Sequence, residues 1–313
     1  MGGAGPNALF PRMLRAGDTV RFVSPASPPD RDVVLHQAAV LESWRLTVEF
    51  GDHAFDRFGY LAGTDEQRLG DLNQAFRDPN VRAVFATRGG KGSYRIADAL
   101  DVGAVRRDPK PLVGFSDITV LHLALWRHCG LVGIHGGLFA GQDGAIAPET
   151  ADSLRRVLMS AHPIALQSDP SEPTSALTAG EVAEGRLLGG NLNMISTAAG
   201  WALPRLEGAI LLVEATGMGL GQVDRELTML SKAGHLDGLN GVAVGQFTAI
   251  KPQGSWTVVD VLRDHLMRLD VPVLGGLPIG HGVRPWAVPL GTMARLDATG
   301  GTLQVSAGVT EPI

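Results

Sequence analysis

The segment Pro111-Leu112-Val113-Gly114-Phe115-Ser116-Asp117 runs directly into Ile118-Thr119-Val120-Leu121-His122-Leu123, and its reading decides the fold. The apolar run predicts a buried strand, Gly114 permits a tight turn, and Ser116 stands where a helix begins. A serine held at such a bend lies beside the free N–H groups of the helix start, which together with the helix dipole can stabilise an oxyanion. Ser116 is therefore a candidate nucleophile, and it requires a base with an acceptor to orient that base.

Outward from this bend the same alternation recurs. Residues 20–26 and 81–87 are apolar strand-like runs, 45–50 alternates as a strand does, and 31–44 has a helical pattern. Thr64-Asp65-Glu66-Gln67 predicts a capping box that opens a helix reaching Phe76. Residues 131–135 form a further strand. Repeated β-α units imply a parallel, doubly wound sheet whose ligands bind outside the carboxyl ends of the strands. Both Ser116 and the loop Arg88-Gly89-Gly90-Lys91-Gly92 fall at such ends.

Residues 164–179, rich in Pro, Ser and Asp, read as a linker between an N-terminal domain, 1–163, and a smaller α/β C-terminal domain, 180–313. In the second half, strands are expected at 180–188, 208–214 and 241–247, and helices at 191–199, 222–233 and 257–269. Three strand-like segments, 271–277, 287–296 and 302–309, close the chain.

The 313 residues suffice for two cores, and 44% apolar content fits a globular protein. A net charge of −5 argues against a nucleic-acid surface. No apolar stretch approaches the ~18 residues that cross a bilayer, and Met1 to Asn7 lacks the basic and apolar regions of a signal peptide. Cys129 is the only cysteine, which excludes an intramolecular disulfide and a cysteine metal site and favours a reducing compartment, read here as the cytoplasm.

Nine histidines could serve as the base. His36, His128 and His265 lie in helical patterns, and His122 reads as a core residue. His135 ends a first-half strand and could line the cleft. His281 sits in Pro278-Ile279-Gly280-His281-Gly282, a glycine-flanked loop after an apolar strand. For the acid, Glu214 finishes the run Leu211-Leu212-Val213; it is either a triad member or a strand-end acid capping a neighbouring N–H. Gly90-Lys91 lacks the Ser or Thr of a P-loop, and Gly217-Met218-Gly219-Leu220-Gly221 lacks the closing Gly of a dinucleotide fingerprint. With no His-Glu-x-x-His and no carboxylate cluster, a metal-dependent peptidase finds no support.

Tyr60-Leu61-Ala62-Gly63-Thr64-Asp65, Ala86-Thr87-Arg88-Gly89-Gly90, Gly114-Phe115-Ser116-Asp117, Gly185-Arg186-Leu187-Leu188-Gly189-Gly190-Asn191-Leu192, Val223-Asp224-Arg225 and Pro278-Ile279-Gly280-His281-Gly282 together resemble the LD-carboxypeptidase family of serine peptidases, the S66 class. The resemblance implies a flavodoxin-like doubly wound N-terminal domain, a smaller swivelling β/α C-terminal domain, and a homodimer. It matches Ser116 to the nucleophile, Glu214 to the acid and His281 to the base, with the N–H groups of Gly89, Gly90 and Asp117 as oxyanion hole. It implies a small peptide substrate, the muropeptide tetrapeptide stem from which terminal D-Ala is released in cell-wall recycling, and no cofactor or metal. Arg88, Lys91 and His135 are the candidates for binding that substrate. Two departures, Lys91 in place of an aromatic residue and Ala215 in place of Asp, bear on substrate identity. The related microcin C self-immunity hydrolases, which cleave aminoacyl or peptidyl nucleotide amides, are the alternative. A non-catalytic muropeptide-binding protein is a second.

Overall fold

The computed structural model describes residues 6–139 and 145–311, so most of the N-terminal stretch read against a signal peptide lies outside the described residues. Two sheets carry the fold. The first contains β1 (Thr19–Val23), β2 (Thr47–Phe50), β3 (Val81–Ala86), β4 (Leu112–Gly114) and β5 (Gly133–His135), all parallel, in the order β2-β1-β3-β4-β5. That is the flavodoxin-like order, which reverses direction between β1 and β3 and opens a crevice there at the carboxyl ends. Helices α1 (Arg31–Ser43), α2 (Asp65–Arg77), α3 (Val102–Arg107) and α4 (Thr119–Cys129) connect these strands. The expected capping box opens α2: Gln67 N–H donates to Thr64 Oγ1 at 3.3 Å, and Thr64 N–H to Gln67 Oε1 at 2.9 Å.

After α5 (Pro148–Met159) the chain builds the second sheet from β6 (Ile164–Gln167), β7 (Val182–Asn191), β8 (Ala209–Thr216), β9 (Gly241–Thr248) and β10 (Val273–Leu274). Helices α6 (Leu192–Ala198), α7 (Leu220–Lys232) and α8 (Val258–Leu266) lie between them. Strands β7 to β10 are parallel, and β8, central among them, is buried over seven of its eight residues, as its unbroken apolar run requires.

Two sequence expectations are corrected. Residues 164–179 are not an open linker: β6 pairs with the last strand of the chain, and a 3-10 turn, Pro173–Leu177, buries Thr174 and Leu177. The Pro- and Ser-rich composition reflects turns at a sheet edge, since alternation over four residues is too short a signal to mark β6. Likewise 287–296 is two strands. β11 (Val288–Leu290) returns to the first sheet, antiparallel to β5, while β12 (Met293–Asp297) joins β7 and β13 (Thr302–Val305) in the second. Between β11 and β12, Gly291 has φ +94°, and a Cβ there would stand 2.4 Å from the Trp126 ring. Only glycine lets the backbone cross from one sheet to the other at that point.

The substitution Gly291→Ala combines a left-handed backbone with this overlap. It is expected to cost about 1–3 kcal/mol, read as a lower urea midpoint at unchanged slope. A second expectation concerns His122 in α4, whose Nε2 lies 2.9 Å from the Gly114 carbonyl while Nδ1 has no partner among the described residues. Burial pushes its pKa down from 6.5 to about 4. Between these values the unfolded chain binds a proton that the folded protein refuses. His122 therefore makes stability fall as pH drops, by about 2 kcal/mol from pH 6.5 to 5. Denaturant titrations at the two pH values should show that fall reduced by this amount in His122→Gln.

Candidate active site

Ser116 opens a 3-10 turn, Ser116–Ile118, between β4 and α4, and its φ is +62°. A non-glycine residue there is strained by about 1–3 kcal/mol, as at nucleophile elbows, where a sharp turn exposes the hydroxyl. The loop after β3 approaches closely: a Cβ at Gly89 would lie 2.8 Å from Ser116 Cβ and 3.2 Å from the Asp117 nitrogen. Glycine is thus required for the contact itself. The N–H groups of Gly89 and Gly90 donate to no backbone acceptor among the described residues.

The turn is fixed from behind. Ser93 N–H donates to Asp117 Oδ2 at 2.8 Å, and Ser93 Oγ donates to the Asp117 carbonyl at 2.6 Å. Burial pushes the Asp117 carboxyl pKa up. Arg68, fully buried, donates to the Pro25 and Gly92 carbonyls and to Asp65, tying the loops after β1 and β3 together. Lys91 N–H donates to Ser27 Oγ at 3.1 Å.

From the second sheet, Glu214 in β8 is wholly buried, with its Oε2 2.6 Å from His281 Nδ1. Its Oε1 accepts from Asn191 Nδ2 at 3.1 Å. The strand-end acid therefore takes side-chain donors rather than a backbone N–H. Its two oxygens face donors that set the imidazole with Nδ1 inward, leaving Nε2 as the outer nitrogen. The His281 ring packs 4.9 Å from the Phe115 ring, centroid to centroid.

Ser116 and His281 line one cavity of ≈ 400 Å³, with Arg88, Gly89 and Gly90 on its rim. Much of its lining is apolar, including Phe22, Val34, Phe85 and Val113, and Asp30, Gln37 and Thr87 line it as well. Arg88 is exposed and makes no ion pair among the described residues. Lys91 is exposed and does not line the cavity. His135 does not line it either: it is 1% exposed, its ring packs against Phe115, and neither ring nitrogen has a partner among the described residues. Burial first, then the neighbouring His122 and His281, hold its pKa well below the usual range. Among the described residues no three His, Cys, Asp or Glu side chains cluster as metal ligands would, and no helix is long and apolar enough to cross a membrane.

Sequence reasoning missed several supporting residues. Asn191, Ser93 and Arg68 act mainly through partners distant in the chain, which leave no local signal.

The N-terminal domain of LD-carboxypeptidases matches residues 20–136 and their C-terminal domain residues 184–296. A probable murein peptide carboxypeptidase of Bacillus subtilis is 34% identical over 96% of this chain and 95% of its own. A murein tetrapeptide carboxypeptidase of Pseudomonas aeruginosa is 33% identical over 89% of this chain and 92% of its own. In fold, the chain is similar to the microcin C7 self-immunity protein MccF in complex with aspartyl sulfamoyl adenosine, at a TM-score of 0.85 and 22% identity over 96% of this chain and 100% of that one. With both domains matched in order and full-length relatives at this identity, the chain belongs to the LD-carboxypeptidase family of peptidases.

Proposed function

We propose that this protein is a serine carboxypeptidase that hydrolyses an L,D-peptide bond and releases terminal D-Ala from a muropeptide tetrapeptide stem. The observation that carries the reading is the bond from buried Glu214 to His281 Nδ1, on an imidazole that shares its cavity with Ser116. The names of the relatives in Bacillus and Pseudomonas support the substrate class.

In this reading Ser116 Oγ attacks the scissile carbonyl while His281 Nε2 takes its proton. Glu214 holds the imidazole tautomer and offsets the charge that forms on it. The oxyanion lies among the N–H groups of Gly89, Gly90 and Asp117, where each donor contributes about 3–4 kcal/mol. The C–N bond then breaks, His281 returns the proton to the departing D-Ala amine, and an acyl ester remains on Ser116. Water, deprotonated by His281, cleaves that ester and restores the serine. Arg88, an exposed cation that lines the cavity, is assigned to the substrate's terminal carboxylate. Lys91 and His135 stay outside the binding set of this reading, since neither lines the cavity.

Release of D-Ala from a tetrapeptide stem, followed by mass spectrometry, tests the assignment. Ser116→Ala should lower kcat by at least ~10³-fold with an unchanged melting temperature. Arg88→Met should lower kcat/KM by roughly 10-fold or more, since the terminal carboxylate stands on the carbon bonded to the scissile nitrogen, and losing its partner weakens both binding and positioning of the leaving D-Ala. An aminoacyl-sulfamoyl adenosine is offered in parallel. Faster hydrolysis of that amide than release of D-Ala would transfer the substrate to the microcin class and leave the Ser116 assignment intact. Full activity in Ser116→Ala would remove it.

A further inference from the structure

We propose that Gln246 is the positioning residue for the loop that carries His281, and that Glu172 sets the orientation of its amide. The inference rests on the reading of His281 as the general base.

Strand β9 carries one residue more than its neighbour at this point. Val213 pairs with Val244 and Ala215 with Phe247, so Gly245 and Gln246 together stand opposite Glu214. A bulge of this kind bends a strand and re-aims a side chain, and such bulges concentrate beside active sites. Here it turns Gln246, 1% exposed, toward the loop of His281.

Gln246 holds that loop on both sides of the histidine. Its backbone N–H donates to the Ile279 carbonyl at 2.8 Å, two residues before His281. Its side-chain Oε1 accepts from the Gly282 N–H at 2.9 Å, one residue after. Its Nε2 donates to Glu172 Oε1 at 2.7 Å. A backbone N–H only donates and a carboxylate only accepts, so the two ends of the amide cannot be exchanged. Glu172 thereby fixes which end faces Gly282.

Glu214 fixes the direction of one ring atom, but a single bond to Nδ1 leaves open where the Cα of His281 stands. The clamp by Gln246 sets that. Misplacement of a catalytic group by about 1 Å costs on the order of 10²-fold in rate. The segment bearing Glu172 is itself anchored to the same loop. Thr174 Oγ1 donates to the Gly245 carbonyl at 3.1 Å and accepts from the Gly276 N–H at 3.0 Å. The turn before β7 thus holds the bulge at one side and the start of the base-bearing loop at the other.

Three variants test this against wild type: Gln246→Leu, Gln246→Glu, and the double variant Gln246→Glu with Glu172→Gln. Each is assayed for D-Ala release, for the rate of Ser116 labelling by a fluorophosphonate, and for melting temperature. Gln246→Leu should lower kcat about 10- to 100-fold with KM within about twofold of wild type. Gln246→Glu should fall comparably, because it sets two carboxylates face to face. The double variant reverses the donor and acceptor between positions 172 and 246 while keeping an acceptor for the Gly282 N–H. It should regain kcat and labelling rate to within about threefold of wild type. A purely structural role would move melting temperature and kcat together, in the loss and in the recovery alike, whereas a positioning role moves kcat and labelling rate at a nearly constant melting temperature. The proposal is overturned if Gln246→Leu keeps kcat within twofold, or if a folded double variant is no faster than Gln246→Glu. Should wild type be labelled at Ser116 yet release no D-Ala, the substrate reading fails, while the order of labelling rates still decides the role of Gln246. A wild type inert in both assays overturns the base assignment and this proposal with it.

Discussion

A carboxylate with no solvent exposure stands in the middle of the second sheet, and the architecture around it follows from that placement. Donors reach both of its oxygens, one from His281 and one from Asn191, as a polar group buried this deeply requires. Removing one partner of such a pair typically costs about 3–5 kcal/mol, because the other is left buried and uncompensated. The bond network does not end at the carboxylate. Asn191 N–H donates to Thr119 Oγ1 at 3.1 Å, and Thr119 is the first residue of α4, the helix that begins just after Ser116. A continuous path therefore links the turn of Ser116 to the imidazole of His281 through Thr119, Asn191 and Glu214, crossing from the first sheet to the second.

The apolar packing agrees with this path. Each of the two hydrophobic cores draws residues from both halves of the chain: one joins Val23, Phe76 and Leu121 to Leu211, Leu227 and Leu262, the other joins Val20 and Phe85 to Leu212 and Leu303. Strand β11 adds to this by leaving the second half to pair with β5. The two halves thus share cores, a strand pairing and a hydrogen-bonded path. In the proposed reaction, catalytic groups drawn from both halves would rely on this packing for their pre-organisation.

The sequence made legible what is written locally. The Thr64 capping box, the apolar run of β8 and the bend at Ser116 each depend on neighbours within a few residues, and each forms as read. The pairing of Glu214 with His281 came from resemblance and elimination, since nothing local in either segment specifies the other. What escaped notice was non-local throughout. β6 is recognisable only from its partner β13 at the far end of the chain, and the break between β11 and β12 only from the Trp126 ring against Gly291. The bulge that aims Gln246 is a mismatch between two strands, so neither strand alone records it.

His135 and His281 show how one residue type is divided between two tasks by its surroundings. Both pack against the Phe115 ring, at 6.2 Å and 4.9 Å between centroids. His281 is bonded to a carboxylate; His135 is bonded to none among the described residues, and its burial together with its neighbouring imidazoles keeps it neutral. In the proposed reaction a proton leaving Ser116 must settle on a single imidazole at a defined distance. A second basic imidazole beside it would compete for that proton and repel it when charged. Burying His135 removes that competition, at the cost of two ring nitrogens left without a partner among the described residues. Environments that push like groups apart in proton affinity are what acid–base catalysis requires.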